Sequence, residues 1–115
     1  MSSHRAALTV AGKSIPVDKN GYLKRLADWD ESVARALAAN EGITLESKHW
    51  EIIHLLRDFY RQFELSPAMR PMVKYVAQQL GKEKGNSLYL LSLFPGSPAK
   101  LAAKLAGLPR PDNCL

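Results

Sequence analysis

The chain has 115 residues, 46% hydrophobic and 23% charged, with 16 Lys and Arg against 11 Asp and Glu and a net charge of +5. That length sustains a hydrophobic core without staples, and the composition excludes a disordered chain. A lone cysteine excludes an internal disulfide, no apolar run approaches the roughly 20 residues of a bilayer span, and 1–7 lacks a secretory pattern. The expected location is therefore the cytoplasm, and the excess positive charge favours loose association with RNA or acidic proteins.

Leu8-Thr9-Val10 and Ser14-Ile15-Pro16-Val17 are β-prone runs around Ala11-Gly12-Lys13, which predicts a hairpin over 8–17. Pro16 has no amide hydrogen, so its strand belongs at an edge. Asp18-Lys19-Asn20-Gly21 reads as a second turn. Asp30 is the expected cap of a first helix, accepting from the amide of Ser32 or Val33. Trp29 is placed to staple that first turn as a core anchor, and Gly42 ends the helix.

The longest helix is expected from Thr44 to about Leu65. Trp50, Ile53, Leu56, Tyr60 and Phe63 recur at spacings of three and four, widened by Ile52 and Phe59, which makes this the expected central helix. Ser66-Pro67 ends it. An interior proline would break a helix, so the next one is expected to start at Pro71 and run to Leu80, with Met72, Val73, Val76 and Leu80 inward. Gly81 to Gly85 reads as a basic loop. Asn86 or Ser87 caps a short helix that Phe94-Pro95-Gly96 closes.

Ser97-Pro98 opens the last helix, with the serine as cap and Leu101 and Leu105 inward. Lys100 and Lys104 lie four apart on another face, which is either solvated or turned to something acidic. The helical pattern stops at Gly107, and Pro109 and Pro111 prevent a new helix. Residues 107–115 thus read as a semi-stiff arm with the only cysteine, Cys114, near its tip. From Leu108 to Cys114 the arm reaches at most about 23 Å. The expected fold is mainly α (α+β): one domain, a small helical bundle over 30–106 with an N-terminal β-hairpin and a flexible C-terminal arm.

No Gly-rich phosphate loop, metal-ligand cluster or Ser/His/Asp constellation is present, so neither cofactor nor metal is expected. His49 and His54 are five apart, fall on different helix faces and read as structural or surface residues. Arg70 sits near a helix N-terminus, where its charge opposes the dipole; that suggests an ion pair or a bound anion, with an ordinary surface arginine equally open. Only Cys114 offers unusual chemistry. Asp112 and the carboxylate of Leu115 raise its pKa and only Arg110 opposes them, so the thiol needs a partner's pocket to become a thiolate. That suits a carrier better than an enzyme with its own substrate site. The residues leave open a second reading, a helix-turn-helix regulator built from 44–65 and 71–80, although Met72, Val73 and Tyr75 would make a poor recognition surface.

The run Ala106-Gly107-Leu108-Pro109-Arg110-Pro111 followed by Asp112-Asn113-Cys114-Leu115 resembles the C-terminal arm of the DsrC/TusE family of sulfur-relay proteins. The likeness extends over nearly the whole chain, through Asn20-Gly21-Tyr22-Leu23, Trp29, His49-Trp50-Glu51, Leu56-Arg57, Tyr60, Ser66-Pro67, Arg70 and Leu93-Phe94-Pro95-Gly96. It implies a helical bundle with an N-terminal hairpin and a penultimate cysteine that carries sulfur as a persulfide. The sulfite-reductase-associated branch has a second arm cysteine where this chain has Ala103, so the resemblance is to the single-cysteine, TusE-like branch. That branch implies a TusBCD-like donor complex, an MnmA-like tRNA-thiolating acceptor and 2-thiouridine at the tRNA wobble position. A role as accessory protein of a sulfite-reducing or sulfur-oxidising system is the alternative that Ala103 argues against. Arg110, Lys104 and Lys100 are the candidates for docking an acidic partner or a tRNA-bound complex. Arg57 and Arg70 are candidates for holding the arm or an anion.

Overall fold

The computed structural model describes residues 7–112. Strands β1 (Ala7–Val10) and β2 (Lys13–Pro16) pair antiparallel, with Leu8 opposite Ile15 and Val10 opposite Lys13. The loop between them is Ala11-Gly12, both at positive φ (50° and 81°), the two-residue turn whose twist matches that of paired strands. In a sheet of two strands Pro16 sits at an edge, as expected. In the following turn the Asp18 carboxylate accepts from the amides of Asn20 (2.8 Å) and Tyr22 (3.0 Å). A short 3-10 turn at Leu26–Asp28, which the sequence pattern does not predict, then leads into the bundle.

The helices are α1 (Glu31–Asn40), α2 (Ser47–Phe63), α3 (Met69–Leu80), α4 (Ser87–Leu93) and α5 (Pro98–Leu105). Asp30 caps α1 by accepting from the Val33 amide at 2.9 Å, and Asn86 caps α4 by accepting from the Tyr89 amide at 2.9 Å. Three expectations shift. First, α2 begins at Ser47 rather than Thr44, because His49 Nδ1 accepts from the Glu46 backbone N–H (3.1 Å) and fixes the first turn there. Second, α3 starts at Met69, so Pro71 lies inside its first turn, where a missing N–H leaves no intrahelical bond unmade. Third, Ser97 stands at the cap of α5 but its side chain makes no capping bond; Pro98 in the first turn sets the helix start instead.

The helix at the centre is α5 rather than α2. All four other helices pack against it. Its buried face is mostly alanine (Ala99, Ala102, Ala103) with Leu105, and small side chains let neighbouring backbones approach an eight-residue helix from several sides. The longer α2 supplies Ile52, Ile53 and Leu56, all fully buried. Phe63, expected inward, is instead half-exposed: it ends α2, where the chain turns through left-handed Glu64, and its ring rests on Phe59 at 4.6 Å. Gly85 closes the α3–α4 connection against α3, and a Cβ there would come within 2.2 Å of the Ala77 backbone nitrogen.

His49 is buried. With Nδ1 accepting from Glu46, its Nε2 carries the hydrogen and donates to the Leu93 carbonyl at 3.1 Å, tying α2 to the end of α4. The imidazole stands edge-on to the fully buried Phe94 ring. Replacing His49 by Phe leaves the part-buried Glu46 N–H and the buried Leu93 C=O without their partner. It should lower unfolding free energy by about 2–4 kcal/mol in urea titrations, with His49→Gln losing less.

Candidate functional site

Cys114 lies outside the described residues, so the site is built from the body that carries it. That body ends in a tightly satisfied helix terminus. The last turn of an α-helix leaves carbonyls without intrahelical partners. Here the Leu108 amide reaches back to the Ala103 carbonyl (3.0 Å) and the Gly107 amide to the Lys104 carbonyl (3.1 Å), a Schellman arrangement around Gly107 at φ 72°. The next two carbonyls are taken by side chains from distant elements. Trp29 Nε1 donates to the Leu105 carbonyl at 2.9 Å, and Arg57 Nη1 donates to the Ala106 carbonyl at 2.8 Å. The Arg57 guanidinium also stacks on the Trp29 ring, 3.9 Å from its centre. A cation at a helix C-terminus has favourable electrostatics, and burial followed by nearby Arg61 pulls the Arg57 pKa below its ordinary value.

This arrangement explains why position 107 is glycine. Its φ is left-handed, and a Cβ would stand 2.3 Å from a Trp29 ring carbon. Beyond it the expected arm does not leave the body at once. Leu108 and Pro111 are buried, and the Ser66 hydroxyl, in the α2–α3 connection, donates to the Pro109 carbonyl at 2.5 Å. The chain is therefore held against the body through Pro111, and the stretch from there to Cys114 spans at most about 10 Å.

The expected docking residues separate into two groups. Arg57 is committed to the carbonyl end of α5. Lys104 is largely covered: its Nζ pairs with Glu41 at 3.1 Å and lies 5.2 Å from the Tyr22 ring, so it braces the 18–24 turn against α5 and does not stand free in solvent. Tyr22 adds to that brace, its hydroxyl donating to the Lys100 carbonyl at 3.1 Å. Arg110 is exposed between two grooves. One, of about 330 Å³, includes Asn20, Ser97, Lys100 and Lys104 in its walls. The other, of about 560 Å³, is walled by Phe59, Leu65, Pro67, Arg70 and Pro109, and Asp112 also lines it. Arg70 is exposed on the first turn of α3.

His54 stacks on Trp50 (5.8 Å) and approaches Glu31 at 3.7 Å as a half-exposed surface residue, while the buried His49 is spent on backbone bonds. Among the described residues no three His, Cys, Asp or Glu side chains converge as a metal site, and no helix is long and apolar enough to cross a membrane. Sequence reasoning missed Ser66 as an arm contact and the indole N–H of Trp29 as a cap. A half-buried tryptophan needs a partner for its N–H, which was the available signal for the second.

Comparison with known proteins gives a consistent result. A family model described as DsrC like protein matches residues 9–115. Sulfurtransferase TusE of Salmonella typhimurium is 52% identical over 108 residues, covering 94% of this chain and 99% of that protein. Sulfurtransferase TusE of Escherichia coli is 51% identical over the same length, with the same coverage. Among solved structures, Allochromatium vinosum DsrC superposes with a TM-score of 0.86 at 47% identity, covering 95% of this chain and 97% of that one. The oxidised gamma-subunit of the dissimilatory sulfite reductase (DsrC) from Archaeoglobus fulgidus gives 0.81 at 38% identity, covering 95% and 99%.

Two substitutions test the helix terminus. Gly107→Ala forces an alanine into the left-handed region and against Trp29, and should cost at least about 2 kcal/mol of stability in urea unfolding. Arg57→Ala removes a charge-assisted bond and a stacked cation, and should cost about 2 kcal/mol. A double-mutant cycle with Trp29→Phe should be non-additive, because the two side chains share one contact.

Proposed function

The chain belongs to the DsrC-like family, and from that premise we propose that it is a sulfurtransferase acting as a relay carrier, with Cys114 as the atom-bearing residue. The observation that carries the reading is the helix terminus: five side chains and amides secure the end of α5 so that the residues after it emerge at one fixed place. A fold that spends a half-buried tryptophan, an arginine and a serine on one short segment is built to present that segment. The lone thiol of the chain lies at its end.

The transfer balances without an oxidant. The Cys114 thiolate attacks the outer sulfur of a donor persulfide, the donor S–S bond breaks, and the donor leaves as a thiolate. Cys114 then holds the sulfur as its own persulfide. An acceptor thiolate attacks that outer sulfur, and Cys114 leaves as the thiolate it began as. Asp112, two residues before Cys114 in the sequence, opposes thiolate formation in the free chain, so the donor's and acceptor's pockets must supply positive charge or amide donors. This restricts the reaction to docked partners.

The likeness to TusE supports a place in tRNA thiolation, with a TusBCD-like complex as donor and an MnmA-like thiolase as acceptor, in the cytoplasm. Arg110 and Lys100 on one groove, and Arg70 on the other, are the proposed docking cations for acidic surfaces of those partners, tRNA being met through the thiolase. Ala103 is fully buried inside α5, and one arm cysteine supports single-sulfur relay rather than two-thiol chemistry.

In cells that depend on this protein, Cys114→Ser should abolish 2-thiouridine, measured by nucleoside mass spectrometry of total tRNA; intact thiolation would sink the reading. Arg110→Glu should leave folding unchanged and slow transfer from the donor complex about tenfold at low salt. The deficit should shrink as ionic strength rises, because rim charges act mainly on association.

A further inference from the structure

We propose that Ser66 is a positioning residue for the relay: its hydroxyl latches Pro109 and so fixes where Cys114 is delivered to a partner. The inference rests on the carrier reading above. Ser66 is 8% exposed and lies between left-handed Glu64 and fully buried Pro67, so its own backbone is held on both sides. It donates to a carbonyl 43 residues away, at 2.5 Å. The segment it grips is stiff as well: Pro109 and Pro111 fix their φ, Leu108 is buried, and Pro111 is buried beyond the latch.

The consequence is a short tether. Anchored only at Leu108, Cys114 would hang on six residues; anchored through Pro111, it hangs on three. Effective concentration at a partner's site falls roughly as the three-halves power of tether length, so the latch together with the Pro111 burial that follows it is worth about 3-fold, and more where the partner's site is near. A small soluble persulfide gains nothing from the latch, because it finds the thiol wherever it is. The held segment, through Pro109 and Asp112, lines the groove walled by Phe59, Leu65, Pro67 and Arg70.

The test compares wild type, Ser66→Ala, Ser66→Thr and Pro109→Gly in two assays. One measures sulfur uptake by Cys114 from the protein donor complex across carrier concentrations; the other measures uptake from a low-molecular-weight persulfide. Ser66→Ala and Pro109→Gly should raise KM for the protein donor about 3- to 5-fold with kcat unchanged, and leave the small-donor rate unchanged. Ser66→Thr, which keeps the hydroxyl, should restore KM. Pro109→Gly keeps Ser66 in place and carries the test if Ser66→Ala fails to fold. The proposal is overturned by an unchanged KM in both variants, by a parallel fall in the small-donor rate, or by failure of the threonine variant to rescue. A wild-type chain that takes sulfur from neither donor removes the carrier reading itself, and the latch with it.

Discussion

The structure depends on how the carbonyl end of α5 is satisfied. In an eight-residue helix at the centre of the bundle, about half of the backbone N–H and C=O groups lack helical partners. Left buried and unpaired, each such carbonyl would cost on the order of 1–3 kcal/mol. The chain meets this with amides at Gly107 and Leu108 and with two long side chains brought from the α1 approach and from α2. Those bonds do more than stabilise the helix. They fix the direction in which residues 108–111 depart, and hence the place from which the thiol-bearing end starts.

Much of the fold was legible in the sequence because local signals agreed. The hairpin, the Asp30 and Asn86 caps and the amphipathic stripe of α2 each rest on nearby residues. What the sequence hid was set at long range. Nothing local marks α5 as the hub, since its buried face is alanine and its strongest visible feature is a pair of lysines. Pro71 misled by its position, because its cost depends on which turn it occupies, and that was decided by the start at Met69. The spacing of Lys104 from Lys100 left open a solvated face or an acidic neighbour; Glu41 and Tyr22 come to it across the fold, from positions that no local pattern identifies.

The residues that carried the family resemblance acquire physical roles in the structure. Tyr22 lashes a turn to α5, Trp29 and Arg57 cap it, and Ser66 grips Pro109. His49 joins α2 to the end of α4, against Phe94. They are a scaffold for the departure of the C-terminal segment rather than a pocket for a substrate. This fits a protein whose chemistry is completed by others.

The central claim is that Cys114 carries the sulfur. The most direct measurement incubates the purified chain with a cysteine desulfurase, cysteine and a TusBCD-like donor complex, then takes intact and peptide mass spectra before and after reductant. The account predicts the added mass of one sulfur atom on the peptide containing Cys114, removed by reductant and passed on when a tRNA-thiolating acceptor is present. An unmodified Cys114 with the complete donor set would contradict it, and would leave the secured C-terminal segment as a docking element without sulfur chemistry of its own.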